Sequence, residues 1–334
     1  GDALLRAENS IHDDFYLLHA SHVDFHEFKE EIERKKRSDA TNILLAREVT
    51  NTEHFGILKI DGDTVLGVTE KPSKGKEPSN LKVIGIYLLS RSFLETLKTI
   101  TQEHYSFESA LSEHAAMQSG QYHPMTYVKT EITEVSLKYP WNVLQISRYL
   151  LSQIKPSISQ KATISPHAMI VGDVILEEGV TVMEGACIKG PCYIGKNAFI
   201  GNNAIVRDHT VIGEGSVVGA NMEVKNSVIL DQTTTHSGFI GDSVIGSKSK
   251  IAAQFCTGNV RLDREENVVL VGEKEVHTGL RSLGIIMGDA VTVGIGVTTM
   301  PGFIIGNNVV IGPATMVGEN IPADTLFYTK FEVI

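Results

Sequence analysis

The cysteines and histidines are the side chains of this sequence best suited to bind a metal ion. The three cysteines are Cys187, Cys192 and Cys256. Zinc sites need closely spaced groups of Cys and His, and no such group accompanies these residues. Their spacing therefore favours packing inside the fold, and we expect Cys256 to be buried. The histidines His104, His114 and His123 are also too far apart for a local metal motif.

The charge and the cysteine content exclude several classes of function. The formal net charge is −10, which argues against binding to a nucleic-acid backbone. An odd number of cysteines without a framework spacing indicates a reducing compartment, so we expect a cytoplasmic protein. No apolar run reaches the roughly 20 residues that cross a bilayer, so we expect no membrane partner.

The sequence pattern that indicates secondary structure changes near residue 155. Up to residue 154, strands and helices alternate, which predicts an α/β domain. The expected helices cover 2–10, 25–36, 91–100, 107–118 and 142–154. The expected strands cover 15–19, 42–48, 56–61, 64–69, 82–90, 125–129 and 131–137.

Beyond Pro156, apolar residues recur at every sixth position. They are Ile158, Ile164, Ile170, Leu176, Val182, Ile188, Ile194, Ile200, Val206, Ile212, Val218, Val224 and Leu230. This period is typical of a hexapeptide β-helix, whereas an ordinary β-sandwich is the alternative. The repeat slips after Leu230, resumes at Phe239, and is interrupted by a charged insertion at 257–283. We predict that the repeating apolar residues point into triangular coils.

Motifs in both halves resemble the sugar-1-phosphate nucleotidyltransferases, especially the two-domain bifunctional enzymes of archaeal type. The motifs in order are Glu70-Lys71-Pro72, Val83-Ile84-Gly85-Ile86-Tyr87, Tyr139-Pro140-Trp141-Asn142, Val211-Ile212-Gly213-Glu214 and Val218-Gly219-Ala220-Asn221. The resemblance implies an α/β nucleotidyltransferase-like domain over 1–154. It further implies a left-handed parallel β-helix over 155–334.

The resemblance implies that the first domain condenses a nucleoside triphosphate with a sugar 1-phosphate and releases pyrophosphate, with Mg²⁺ as cofactor. Glu70, Lys71 and Gly85 would then contact the sugar phosphate. Without the resemblance, Glu70 and Lys71 are a solvated strand end. The glycine-rich nucleotide loop of the family would precede Gly1, and this sequence lacks it.

Two positions that hold Mg²⁺-binding aspartates in the family align with Ser21 and Ser136. Serine carries no charge, so it is a poor ligand for a hard cation. Asp24 is an alternative ligand, because it lies close to Ser21 in the sequence. We therefore expect no metal site and impaired nucleotidyl transfer, and a catalytically inactive oligomeric scaffold or regulatory subunit is the alternative function.

For the second domain, the resemblance implies transfer of an acetyl group from acetyl-CoA to an amino sugar phosphate. The family motif H-x-x-[YF]-x-G-D matches residues 236–242 and makes His236 the candidate general base. An exposed loop histidine is the alternative interpretation of His236. Lys225 and Asn259 would contact the sugar phosphate, and Ala253 would lie beside the thioester. The resemblance also implies a homotrimer, or a multiple of it, with the acetyl-CoA groove between neighbouring subunits.

Overall fold

The structure is a computed structural model that describes residues 1–36, 40–101, 103, 105–120, 124–132 and 135–329 of the chain. It divides into two compact units, Gly1–Ser136 and Leu137–Ile334. The helix at 142–153 belongs to the second unit, although the sequence division near residue 155 assigns it to the first half. Among the described residues, no helix is both long and apolar enough to cross a membrane.

The first unit is a mixed six-stranded sheet flanked by helices. The strands are β1 (Phe15–Leu18), β2 (Ile43–Glu48), β3 (Gly56–Asp61), β4 (Thr64–Glu70), β5 (Leu81–Leu89) and β6 (Thr126–Lys129), in the spatial order β1-β5-β2-β6-β4-β3. The helices are α1 (Asp2–Arg6), a 3₁₀ turn (Glu8–Ser10), α2 (Phe25–Lys36), α3 (Ser92–Thr99) and α4 (Ser106–Gln118).

Strand β2 shows why this sheet is buried on both faces. Leu44 packs in one apolar cluster with Phe93 of α3, and its neighbour Ile43 packs in another cluster with Phe28 of α2. Successive strand residues point to opposite faces, so an uninterrupted apolar strand needs cover on both sides. The predicted strand at 131–137 includes two residues outside the described ranges. Of the others, Ser136 forms an isolated bridge with His22.

The second unit begins with helix α5 (Asn142–Gln153) and continues as parallel coils with three faces. Face 1 consists of Ser157–Ile158, Val174–Leu176, Cys192–Ile194, Thr210–Ile212, Val228–Ile229, Val244–Ile245, Ile286–Met287 and Ile304–Ile305. Face 2 consists of Thr163–Ile164, Thr181–Val182, Phe199–Ile200, Val217–Val218, Thr234–Thr235, Lys250–Ile251, Thr292–Val293, Val310–Ile311 and Leu326–Phe327. Face 3 consists of Met169–Val171, Cys187–Lys189, Ile205–Arg207, Met222–Lys225, Gly238–Gly241, Phe255–Thr257, Thr298–Thr299 and Met316–Val317. This stacking confirms the predicted left-handed β-helix.

The inward register differs from the prediction at three residues. Ile229 is fully buried while Leu230 is 40% exposed, and Ile240 is fully buried while Phe239 faces outward. The repeat therefore shortens before Leu230, because Ile212 pairs with Ile229 and Ile229 with Ile245 in coils shorter than the regular ones. Ile158 is also exposed, since it lies in the first coil and has no coil beneath it.

The cysteines follow the inward and outward alternation of the strands. Cys192 is buried in the core of the coils, as expected. Cys256 is exposed, so the prediction that it is buried is wrong. Its neighbours Phe255 and Thr257 occupy the inward positions, which leaves the outward position to Cys256.

Face 1 is covered by helix α5 and by the insertion. Trp141 and Leu144 pack against Val228 and Val244 of face 1. The insertion adds an antiparallel hairpin with strands Val268–Val271 and Lys274–His277, and its Val269 joins the same cluster. The apolar side chains at helical spacing in α5 thus meet apolar side chains on the outside of the coils.

Candidate functional site

Ser21 and Ser136 lie side by side in the first unit, although 115 residues separate them in the sequence. Their hydroxyl oxygens are 2.9 Å apart, and the His19 Nδ1 atom is 2.8 Å from the Ser21 hydroxyl. Ser21 lies in the loop between β1 and α2, and the bridge between His22 and Ser136 holds the two segments together. The structure therefore brings together the two positions that the sequence aligns with metal-binding aspartates.

Asp24 lies close by, but its carboxylate has other partners. It is buried, and it accepts hydrogen bonds from the His22 ring at 3.1 Å and from the backbone N–H of Val135 at 2.5 Å. Burial alone would raise the pKa of Asp24, yet these hydrogen bonds outweigh it and the pKa is lowered. Asp24 thus links the loop between β1 and α2 to the backbone of Val135 by a hydrogen bond.

The side chains around Ser21 do not fit a Mg²⁺ ion. Magnesium selects carboxylate oxygens, and here two neutral hydroxyls bond to each other while Asp24 is used within the protein. Within the described ranges, no group of three or more His, Cys, Asp or Glu side chains could hold a metal. His114 is buried against Thr96, and His104 and His123 lie outside the described residues.

Gly85 packs directly against the Ser21 loop. Its carbonyl oxygen accepts a hydrogen bond of 2.9 Å from the His19 backbone N–H, and its φ of 63° is one that glycine adopts without strain. A Cβ atom at this position would lie 3.4 Å from the His19 Cβ and 3.5 Å from the His22 Nε2. Gly85 thus borders the Ser21 loop at close range.

Glu70 is the last residue of β4, and Lys71 follows it. The Lys71 ammonium lies 3.8 Å from the Glu70 carboxylate and 5.7 Å from the centre of the Tyr105 ring. Lys71 is exposed, and its backbone N–H donates to the Phe55 carbonyl. These contacts fit a solvated strand end as well as a sugar-phosphate contact.

The second group of predicted site residues lies on or beside face 3 of the β-helix. Its outward side chains form two columns, because each inward residue is flanked by two outward ones. The first column, which we call the apolar column, runs Met169, Cys187, Ile205, Glu223, Phe239, Cys256, Thr298 and Met316. The second, the basic column, runs Val171, Lys189, Arg207, Lys225 and Gly241.

Lys225 and Asn259 meet at the carboxylate of Asp242. The Lys225 Nζ is 3.3 Å from Asp242 Oδ2, and the Asn259 Nδ2 donates to the same oxygen at 2.5 Å. Asn226 donates to the other oxygen of Asp242. All four residues lie where the chain leaves face 3, a position that we call the exit corner. The buried Asp242 therefore contacts both Lys225 and Asn259, which are predicted to contact a sugar phosphate.

Arg207 is a residue that the sequence analysis missed. It stacks beside Lys225 in the preceding coil, and its guanidinium pairs with Glu223 at 2.7 Å and with Asp208. The coil period could have identified it, because three hexapeptides before Lys225 lead to Arg207. A second cation therefore lies at the exit corner, partly neutralised by two carboxylates.

His236 and Ala253 lie at the opposite end of face 3, which we call the entry corner. His236 precedes the strand Gly238–Gly241, and Ala253 precedes the strand Phe255–Thr257 of the next coil. The two turns are joined by hydrogen bonds, including one of 3.1 Å from the Phe255 N–H to the Ser237 carbonyl. His236 is exposed, and no side chain in the described part of the protein hydrogen-bonds to its ring. The predicted base and the predicted thioester contact thus share one corner.

Comparison with known proteins agrees with this two-unit architecture. The family described as "Nucleotidyl transferase" matches residues 1–131, and the "GMPPB C-terminal domain" matches residues 188–298. The second range includes Lys225 at the exit corner and His236 at the entry corner. Relatives named "Bifunctional protein GlmU" from Methanococcus maripaludis strain C7 and Methanocaldococcus jannaschii are 37% and 32% identical, over 100% of this chain and 79% of theirs.

A third relative, from Sulfurisphaera tokodaii, is named "Bifunctional sugar-1-phosphate nucleotidylyltransferase/acetyltransferase". It is 31% identical over 84% of this chain and 69% of its own length. These matches extend over both units, in the order in which the sequence motifs occur. The chain therefore belongs to the family of bifunctional sugar-1-phosphate nucleotidyltransferases and acetyltransferases, which join a nucleotidyltransferase-like α/β domain to a left-handed β-helix.

Proposed function

We propose that the β-helix transfers an acetyl group from acetyl-CoA to the amine of an amino sugar phosphate. The observation that carries the proposal is the arrangement of face 3, with His236 beside Ala253 at one corner and Lys225 with Asn259 at the other. From His236 to Gly241 the chain extends at most about 18 Å. A lysine side chain, an amino sugar phosphate and an imidazole ring together fill such a span.

In this reaction, His236 acts as the general base. The amine lone pair attacks the thioester carbonyl carbon, so a C–N bond forms and the C–S bond breaks. The amine proton passes to the imidazole and then to the departing CoA sulfur. An imidazole suits this role because its pKa lies near neutral pH, and Lys225 would bind the phosphate by charge.

Replacement of His236 by Ala tests the base. We expect loss of at least about a hundredfold in kcat for acetyl transfer, the usual contribution of a general base, with unchanged assembly. Free CoA release from acetyl-CoA with glucosamine 1-phosphate as acceptor measures it. His167, another exposed histidine of the coils, is the matched control, and His167→Ala should keep full activity. Undiminished transfer by the His236→Ala protein would remove the assignment.

The first unit has a second candidate function. The contact between Ser21 and Ser136 favours a scaffold or regulatory unit that no longer joins a nucleoside triphosphate to a sugar 1-phosphate with Mg²⁺. Pyrophosphate release should then stay at background with every nucleoside triphosphate and sugar 1-phosphate pair. Magnesium-dependent turnover would contradict this candidate and restore the nucleotidyltransferase activity of the family.

The proposal extends to assembly as a cytoplasmic homotrimer, or a multiple of it. Face 1 is covered by helix α5, and the outward residues of face 2 include four threonines and Lys250 among apolar side chains, whereas face 3 places the apolar column between the two corners of the candidate site. Apolar surface of this kind is typical of protein interfaces. A neighbouring copy on face 3 would also enclose the entry and exit corners.

A further inference from the structure

Helix α5 reaches the exit corner with the side chain of Arg148. Its Nε atom donates a hydrogen bond of 2.9 Å to the Oδ1 atom of Asn226. Asn226 is buried, and its Nδ2 atom donates in turn to Asp242. Arg148 therefore stands two hydrogen bonds away from the carboxylate that holds Lys225 and Asn259.

A second observation also puts the Arg148 charge at this corner. Burial lowers the pKa of His209, and the positive charge of Arg148 lowers it further. His209 lies in the turn after Arg207, in the coil that precedes Lys225. The guanidinium thus faces the exit corner from outside the coil wall. It also lines a cavity of about 320 Å³ together with Trp141 and Leu280.

The chemistry of the amide explains what Arg148 does. A guanidinium only donates hydrogen bonds, and a carboxylate only accepts them. Between Arg148 and Asp242, the Asn226 amide therefore has a single satisfactory orientation, with its oxygen toward the arginine and its nitrogen toward the aspartate. Without the arginine, that orientation loses the interaction that fixes it.

We infer that Arg148 is a positioning residue that orients Asn226 and, through Asp242, sets the places of Lys225 and Asn259. The inference rests on the proposed acetyl transfer for its kinetic consequence, but its geometric part is independent of any activity. Lys225 and Asn259 would bind the sugar phosphate in both the ground state and the transition state. Loss of their alignment should therefore raise KM more than it lowers kcat.

The kinetic test uses Arg148→Met and Arg148→Lys in the full chain. We expect Arg148→Met to raise the KM for glucosamine 1-phosphate about tenfold, the scale of one hydrogen bond to a charged group, with an unchanged KM for acetyl-CoA. Arg148→Lys keeps a donor and should recover part of the loss. Gln145→Ala is the matched control, since Gln145 is exposed on the same helix and lines the same cavity. Equal rises in both KM values, or an equal effect of Gln145→Ala, would overturn the inference.

A double-mutant cycle tests the route through Asn226. Asn226→Gly suits the cycle, because the φ of 45° at this position is accessible to glycine. If Arg148 acts through Asn226, adding Arg148→Met to Asn226→Gly should change the KM no further. Full additivity of the two substitutions would contradict the route.

A crystal structure of the Arg148→Met protein separates this inference from the proposed function. We expect the Asn226 amide to turn away from Asp242 and the Lys225 ammonium to shift. If the contacts of Asp242 are unchanged, the inference fails even where acetyl transfer is present. If they change but the wild-type protein transfers no acetyl group, the inference holds and the proposed function fails.

Discussion

The hydroxyls of Ser21 and Ser136 lie where the sequence analysis predicts the positions of two metal-binding carboxylates, and substitution can test that prediction. Aspartate at both positions would put two carboxylates at close range, where they repel each other until a cation binds. We expect Ser21→Asp/Ser136→Asp to gain Mn²⁺ binding by electron paramagnetic resonance and to gain thermal stability when Mg²⁺ is added. The wild-type protein should show neither effect.

The two single variants are the controls for this gain. Each would offer one carboxylate beside one hydroxyl, which is a weaker set of ligands for a divalent cation. If the double variant binds Mn²⁺ no better than the single variants, the alignment of Ser21 and Ser136 with the metal positions is wrong.

Asp24 should make the stability of the first unit depend on pH. Its folded pKa lies below the ordinary value of 3.8, so its stabilisation is present above that value and is lost as the pH falls through the folded pKa. We expect Asp24→Asn to lower the free energy of unfolding by about 2 kcal/mol at pH 7 and by progressively less as the pH falls through the folded pKa. Urea unfolding at neutral pH and over a series of acid pH values measures the difference.

The exposed Asp2, which pairs with Arg6 on the surface, provides the control for Asp24. Asp2→Asn should change the unfolding curve little, because exposed ion pairs contribute little. An equal loss of stability by Asp24→Asn at neutral and acid pH would show that its carboxylate is not the stabilising group.

At the scale of the elements, the shortened coils predict a sharp contrast between two neighbours. Ile229 is fully buried and Leu230 is 40% exposed. We expect Ile229→Ala to destabilise the β-helix by about 2–5 kcal/mol and Leu230→Ala by less than about 1 kcal/mol. Chemical denaturation monitored by circular dichroism compares them. The reverse order would restore the unbroken sixfold register.

Much of the fold was predictable because local patterns determine it. The helix at 25–36 and the strand at 56–61 match the prediction residue for residue, since periodicity and turn residues mark both. The register near Leu230 was not predictable. Leu230 continues the sixfold spacing from Val224, whereas the equally apolar Ile229 does not, and only the packing of the neighbouring coils selects Ile229.

The candidate site was predictable in part. The motif at 236–242 identified His236, and the resemblance identified Lys225 and Asn259. The contacts of Asn226 with Asp242 and with Arg148 were not predictable, because they are hydrogen bonds between segments that are far apart in the sequence. Such contacts leave no local spacing to detect.

At the scale of the whole molecule, the apolar column predicts the state of assembly. Ile205 is exposed on face 3, and we expect Ile205→Glu to convert a trimer to monomers by burying a charge at the interface. Light scattering after size exclusion measures the mass. Thr292→Glu on the outward side of face 2 is the control and should leave the trimer intact. A wild-type monomer at micromolar concentration would contradict the trimer.

Helix α5 and the insertion share one apolar cluster with Val228, Val244 and Ile286, which belong to three successive coils of face 1. A stack of coils in which each contacts only its neighbours can open stepwise from either end. An apolar cluster that spans three coils couples their opening into one event, so fraying should stop at those coils. Backbone amides between Thr210 and Met287 should therefore exchange with deuterium more slowly than those near Ile164 or Val317, and truncating Leu144 to Ala should erase that difference.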